Sequence, residues 1–151
     1  MHDSEKIESI LHRVSFLGAL GPEQRRDVYG YMDEMSVEKG DWIETKGKPA
    51  TNIYIIQSGV VHLMIHRGEQ MFYKRDFRAG DSFGEAAMLS LVNNTATFIA
   101  AEPCELLVIS NKGLRSLHKQ KPEVFSLVIL NIARDLARKL QYTDEMLPKE
   151  S

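Results

Sequence analysis

The chain is poor in the features that would staple it, anchor it or give it a strong field. Among its 151 residues there is a single cysteine, Cys104, so an internal disulfide is excluded. No charged-then-apolar leader opens the sequence, and a reducing cytoplasm is the expected compartment. Apolar runs such as Leu106 to Ile109 fall far short of the roughly 20 residues a bilayer span needs, so no membrane partner is expected. Charge of one sign is missing too. Lys and Arg total 19 against 21 Asp and Glu, the formal net charge is -2, and the two signs are mixed along the chain, which argues against a nucleic acid partner. No serine lies in a nucleophile elbow, and Cys104 sits in the apolar stretch Cys104-Glu-Leu-Leu-Val-Ile109 as a packed thiol. With no nucleophile and base pairing in view, the chain reads as a non-enzyme.

The length fits one domain, covering residues 1-151. Ile7, Ile10, Leu11 and Val14 fall at helical spacing behind Asp3 or Ser4 as N-cap, and Pro22 followed by Glu23 opens a second short helix running to about Tyr31. The N-terminal helices therefore occupy 1-34. From Met35 the pattern changes. Gly40, Gly47, Gly59, Gly68, Gly80 and Gly84 punctuate short segments rich in β-branched and aromatic residues, such as Asn52-Ile-Tyr-Ile-Ile-Gln57 and Val60-Val-His-Leu-Met-Ile65. Short strands with turns at about ten-residue intervals predict a β-sandwich or jelly roll over 35-111. A short turn near Lys112 to His118 follows, and then a long helix from Pro122 to about Met146, so the C-terminal helices occupy 112-147. The fold class is α+β, mainly β.

Lys39-Gly40-Asp41, Gly47, Ile53-Tyr-Ile-Ile-Gln-Ser-Gly59 and Ala79-Gly80-Asp81-Ser-Phe-Gly-Glu85 stand in an order and spacing that resembles the cyclic nucleotide-binding domain family. That family includes the catabolite activator protein and the regulatory subunits of cyclic-nucleotide-dependent kinases. The resemblance covers nearly the whole chain and implies a double-stranded β-helix jelly roll with short N-terminal helices and a long C-terminal one. Asp81-Ser-Phe-Gly-Glu-Ala-Ala-Met-Leu-Ser-Leu-Val-Asn-Asn-Thr-Ala96 resembles the family's phosphate-binding cassette. The resemblance implies a ligand site at Phe83, Gly84, Glu85, Ala86, Ala87, Asn94, Thr95 and Ala96. It assigns the backbone amides from Gly84 to Ala87 to the phosphate and Glu85 to the ribose 2'-hydroxyl. A plainer role for Glu85 is to tie the loop, and for Thr95 and Thr97 to be ordinary strand residues. cAMP or cGMP is the ligand so implied; no other cofactor is expected.

One position departs from the pattern. About nine residues after the Glu the family carries an Arg that pairs with the cyclic phosphate, and here that place is held by Asn94. A guanidinium offers a charged fork, whereas the Asn amide is neutral and short. Charge-assisted hydrogen bonds contribute about 1.5 to 3 kcal/mol, so the change weakens anion binding by roughly one to two decades. Between Glu85 and Ala101 there is no Lys, Arg or His. Lys74, Arg75 and Arg78 on the preceding hairpin reach the cassette only if their side chains turn inward. The expectation is a free-standing regulatory or ligand-sensing module with an altered pocket, set against a true cAMP or cGMP sensor. Thr143 on the long helix is the nearest candidate for a base contact.

His62 and His66, four apart on one strand, raise a third reading, a cupin-like metal-binding β-roll. Two His without a third ligand, and without the His-x-His of cupins, speak against it, and no metal site is expected. Basic residues outnumber acidic ones between Lys112 and Lys139, which fits a solvated helical face or a dock for an acidic partner. On the long helix Phe125, Ile129, Ile132, Leu136 and Leu140 form one stripe, with Val124, Leu127 and Val128 as a second flank. The surplus predicts a homodimer through this helix, as in the family; the rival is that both flanks pack on the N-terminal helices. The sequence stops at Leu147-Pro-Lys-Glu-Ser151, where the superfamily's transcription factors continue into a helix-turn-helix domain, so output is expected to pass to a protein partner.

Overall fold

The computed structural model describes residues 4-146, with side chains from 5 to 141. Three helical segments open the chain: α1 (Ser4–Leu11), a 3-10 turn (Ser15–Leu17) and α2 (Pro22–Tyr29). Eight strands follow, namely β1 (Asp33–Val37), β2 (Trp42–Glu44), β3 (Asn52–Ser58), β4 (Val61–Arg67), β5 (Gln70–Phe77), β6 (Ser82–Phe83), β7 (Thr97–Ala100) and β8 (Cys104–Ser110). A short helix α3 (Glu85–Leu89) interrupts them, and α4 (Asn111–Gln120) and α5 (Pro122–Met146) complete the order. Two antiparallel four-stranded sheets result, ordered β1-β8-β3-β6 and β2-β7-β4-β5.

The alternation of side chains along a strand explains why β3 and β8 are apolar at nearly every position. Ile53 and Ile55, with Leu107 and Ile109, face a core built with the helices. Tyr54 and Ile56, with Leu106 and Val108, face the interior between the sheets. One sheet thus buries both faces, and the sequence shows it as continuous hydrophobic runs rather than alternation. Arg25, only 9% exposed, locks the first helices together by donating from Nε to Glu8 Oε1 at 2.8 Å and from a terminal nitrogen to the Leu20 carbonyl.

Several boundaries differ from the sequence expectation. The first helix stops at Leu11 rather than Val14, because Val14 carries extended backbone and caps the 3-10 turn. The second ends at Tyr29, and the roll begins at Asp33. The turn expected near Lys112 is a full ten-residue helix, started by Ser110 Oγ accepting from the Gly113 amide at 2.9 Å. β7 starts at Thr97, so Thr97 is a strand residue and Thr95 is not; the chain just before it is held at Asn94 by hydrogen bonds to Gly47 and Lys48. On α5, both flanks named above pack inward except at Leu140: Val124, Val128 and Ile132 are buried, and Phe125, Leu127, Ile129 and Leu136 lie against the same core. Asn131 is buried among them and donates to the Phe16 carbonyl at 3.0 Å, which pins the helix to the 3-10 turn. Leu130, outside both flanks, and Leu140, the last residue of the expected stripe, point outward, 44% and 64% exposed.

Candidate functional site

All six glycines singled out in the roll have positive φ. At Gly84 the requirement is strictest. Its φ is +96°, and a Cβ there would sit 2.6 Å from the carbonyl oxygen of Asn52. The reversal at Gly84 takes the chain from β6, paired to β3 at Tyr54 and Phe83, into α3. That helix has five residues, little more than one turn, so the dipole it adds to the backbone amides from Gly84 to Ala87 is small. After Leu91, which has φ +57°, the segment is strapped to the β2–β3 loop. The Asn94 amide donates to the Lys48 carbonyl at 2.9 Å, and the Gly47 amide donates to the Asn94 carbonyl at 2.8 Å.

A cavity of about 320 Å³ opens between this segment and the inner face of the roll. Gly84, Ala86, Ala87, Asn94, Thr95 and Ala96 line one side, and Leu63, Ile65, Lys74 and Phe98 the other. Six of the eight residues expected at the site therefore share one cavity. Phe83 and Glu85 do not. Phe83 is 3% exposed and stacks between Tyr54, at 4.9 Å between ring centroids, and Phe98, at 4.5 Å. It packs the floor of the roll. Glu85 accepts a 2.7 Å hydrogen bond from Ser82 Oγ, the loop-tying role. It borders a second cavity of about 310 Å³, with Arg13, Arg75, Asp81, Arg138 and Lys139. Phe77 lines that cavity and Phe98 the first, and their rings lie 5.8 Å apart as the divide.

Asn94 is 4% exposed, and its side chain is engaged by the fold. Nδ2 donates to the Lys48 carbonyl at 3.1 Å and, more weakly, to Glu44 Oε1 at 3.4 Å. Glu44 also takes a hydrogen bond from Tyr54, whose own hydroxyl accepts from Asn52 Nδ2 at 3.2 Å. Asn52, Tyr54, Glu44 and Asn94 form a polar chain along the roll wall. Burial pushes the Glu44 carboxyl above its ordinary value, against the lowering effect of its two donors. Burial, with Glu44 beside it, pushes the Tyr54 hydroxyl up to about 12.

Lys74 enters the cavity through an irregularity in β5. Leu63 pairs with Arg75 and Met64 with Tyr73, so Lys74 is the extra residue of a β-bulge. The shift in register falls between the partners of Tyr73 and Arg75, and Lys74 borders one cavity and Arg75 the other. Arg75 lies over the Phe77 ring at 4.2 Å, while Arg78 pairs with Asp76 at 2.9 Å. Sequence reasoning missed Glu44 altogether and left the direction of Lys74 open, since pairing register is not written in single residues.

The remaining candidates separate. His62 Nε2 lies 3.2 Å from Asp76, and His66 Nε2 lies 2.7 Å from Thr97 Oγ1. Among the described residues no group of three or more His, Cys, Asp or Glu side chains is placed to hold a metal ion. Thr97 is fully buried and also accepts from the Lys46 amide at 3.1 Å, a structural role. Thr95 stays in the cavity wall. Cys104 is buried, and desolvation raises its thiol pKa, which disfavours the nucleophilic thiolate. The Thr143 side chain lies outside the described residues. No described helix is long and apolar enough to cross a membrane.

The two-sheet roll, the inserted turn of helix and the closing C-terminal helix define a β-roll domain. The sequence matches the model of the "Cyclic nucleotide-binding domain" family over residues 34–121, and the chain belongs to that family. It is 30% identical over 117 residues to a cAMP-dependent protein kinase regulatory subunit of Yarrowia lipolytica, a match covering 76% of this chain and 30% of that protein. Among solved structures it is similar to the catabolite activator protein of Thermus thermophilus, with 28% identity and a TM-score of 0.77, covering 86% of this chain and 60% of that one. A cyclic nucleotide-binding domain from Methylobacillus flagellatus shares the fold with a TM-score of 0.82 at 22% identity, covering 98% of this chain and 84% of that one. The chain spans about a third of the length of the kinase subunits it matches.

Proposed function

We propose that this chain is a non-enzymatic regulatory domain that senses a small molecule in the cassette cavity, without the arginine clamp that its family resemblance implies. The observation that carries this reading is the engagement of Asn94 by Lys48 and Glu44. The position expected to grip a cyclic phosphate works as a structural strut. The acceptor expected for a ribose hydroxyl, Glu85, borders a different cavity. Ordinary cAMP or cGMP recognition therefore lacks two of its side-chain contacts, while the cavity itself is retained.

Isothermal titration calorimetry with cAMP and cGMP tests the reading. Weak binding that is indifferent to Glu85→Ala is the expected result. Micromolar or tighter cAMP binding abolished by Glu85→Ala would overturn the altered pocket and leave the second reading, a true cyclic nucleotide sensor.

The outward face of α5 supports the expected homodimer. Ser126, Leu130, Ala133, Ala137 and Leu140 are exposed and recur at spacings of four and three, the a and d positions of a coiled-coil seam. Paired across a two-fold axis, two such faces bury the leucines and let the alanines bring the helices close. Output to a protein partner then follows from how the ligand biases this helix pair.

A further inference from the structure

The cassette cavity is anionophilic on one side only, and the side is not the one its sequence motif suggests. Its segment from Gly84 to Ala96 contributes no cation. Its opposite wall contributes one, Lys74, and among the described residues Lys74 has no hydrogen-bond or ion-pair partner. The bulge in β5 explains how it gets there. With Tyr73 opposite Met64 and Arg75 opposite Leu63, the strand spends an unpaired residue at position 74, and a bulge re-aims the side chain it carries. The neighbours of Lys74 in the wall are Leu63, Ile65 and Phe98, all apolar. A lysine in a wall otherwise made of Leu63, Ile65 and Phe98, exposed and across from the Gly84 to Ala96 segment, suits a ligand with one negative charge and an apolar or aromatic body.

We propose that Lys74 is the counter-charge for an organic monoanion, a carboxylate or a phosphodiester, held in this cavity, replacing from the facing strand the charge that position 94 lacks. The inference rests on the ligand-sensing reading above. A Lys ammonium is a point charge without the planar fork of Arg, so it accepts either anion without demanding two aligned oxygens. The size of the cavity falls at the lower end of ligand pockets, about 300 to 1,000 Å³, which favours a compact ligand.

Calorimetric titration of the full chain with octanoate, as the carboxylate, and cAMP, as the phosphodiester, tests this, with 1-octanol and adenosine as their neutral counterparts. The variants are Lys74→Gln, Lys74→Arg and, as a control for general surface charge, Arg78→Gln. The expected result is that whichever anion binds the wild type loses about 10- to 100-fold in affinity in Lys74→Gln, the loss of one charge-assisted hydrogen bond. Lys74→Arg keeps most of the affinity, Arg78→Gln changes little, and the neutral counterpart is insensitive to position 74. Weakening by added salt is expected in the wild type and much reduced in Lys74→Gln. Anion binding that Lys74→Gln leaves unchanged overturns this inference and spares the sensing function. A chain that binds neither anion at millimolar concentration overturns both.

Discussion

The side-chain amide of Asn94 lies 3.4 Å from Glu44 Oε1 and 3.1 Å from the carbonyl oxygen of Lys48, so one buried nitrogen joins the cassette to the loop after β2. Removing it takes one of two donors from each acceptor, leaving the half-buried Glu44 carboxylate with Tyr54 and the Lys48 carbonyl with the Asn94 backbone amide. Asn94→Ala is expected to destabilise the chain by about 1 to 3 kcal/mol, measured as a lower midpoint in urea unfolding. An unchanged midpoint would show that water replaces the amide at no cost.

Glu44 makes stability depend on pH. Its folded pKa is raised by burial, so the folded state holds the proton more tightly than the unfolded one. The stability from this group is complete below the unfolded Glu value and is lost as pH rises through the raised folded value. Glu44→Gln keeps an acceptor for Asn94 but carries no charge. Unfolding midpoints of variant and wild type should therefore draw together in acid and separate toward pH 7, with the variant the more stable there. A variant no more stable than wild type at pH 7 would contradict this.

Glu44 also bears on restoring an arginine. In Asn94→Arg the guanidinium starts beside the Glu44 carboxylate, which competes with any ligand anion for it. The double variant Asn94→Arg with Glu44→Gln is expected to bind cAMP about tenfold or more tightly than wild type, and Asn94→Arg alone to gain less. Calorimetry on the two variants decides the order; equal gains would exclude the competition.

Gly84 sets the entry to α3. Gly84→Ala combines a residue disfavoured at φ +96° with a 2.6 Å approach to the Asn52 carbonyl oxygen. A loss of more than about 1 kcal/mol is expected, together with faster amide exchange from Glu85 to Leu89. Wild-type exchange in that segment would mean the cassette tolerates a side chain at its corner.

The α5 seam predicts an association equilibrium. Leu130→Glu or Leu140→Glu puts a carboxylate at a d or a position, and either change should shift the chain to monomer in sedimentation equilibrium. Because both leucines face outward, 44% and 64% exposed, circular dichroism of the variants should stay that of the wild type. A dimer that survives both substitutions would place the interface elsewhere.

The roll was legible in the sequence because its constraints are local. Glycines at positions 40, 47, 59, 68, 80 and 84 mark reversals that need positive φ, and the doubly apolar runs of β3 and β8 mark the sheet that is buried on both faces. The site was legible only in part. Gly84, Ala86, Ala87, Thr95 and Ala96 sit close in sequence and meet in one cavity because a single turn brings them there. Glu85 sits among them in sequence, yet its side chain leaves toward Ser82 and the second cavity.

By itself the sequence determined the order of strands and helices, the corner residues and the neutral side chain at position 94. Tertiary structure alone decided what that side chain does and where the nearest cation goes. Asn94 meets Glu44 across 50 residues, and Lys74 enters the cavity because strand pairing skips one residue between Tyr73 and Arg75. Both depend on register between distant segments, and register is fixed by the joint packing of two sheets rather than by the preference of any one residue.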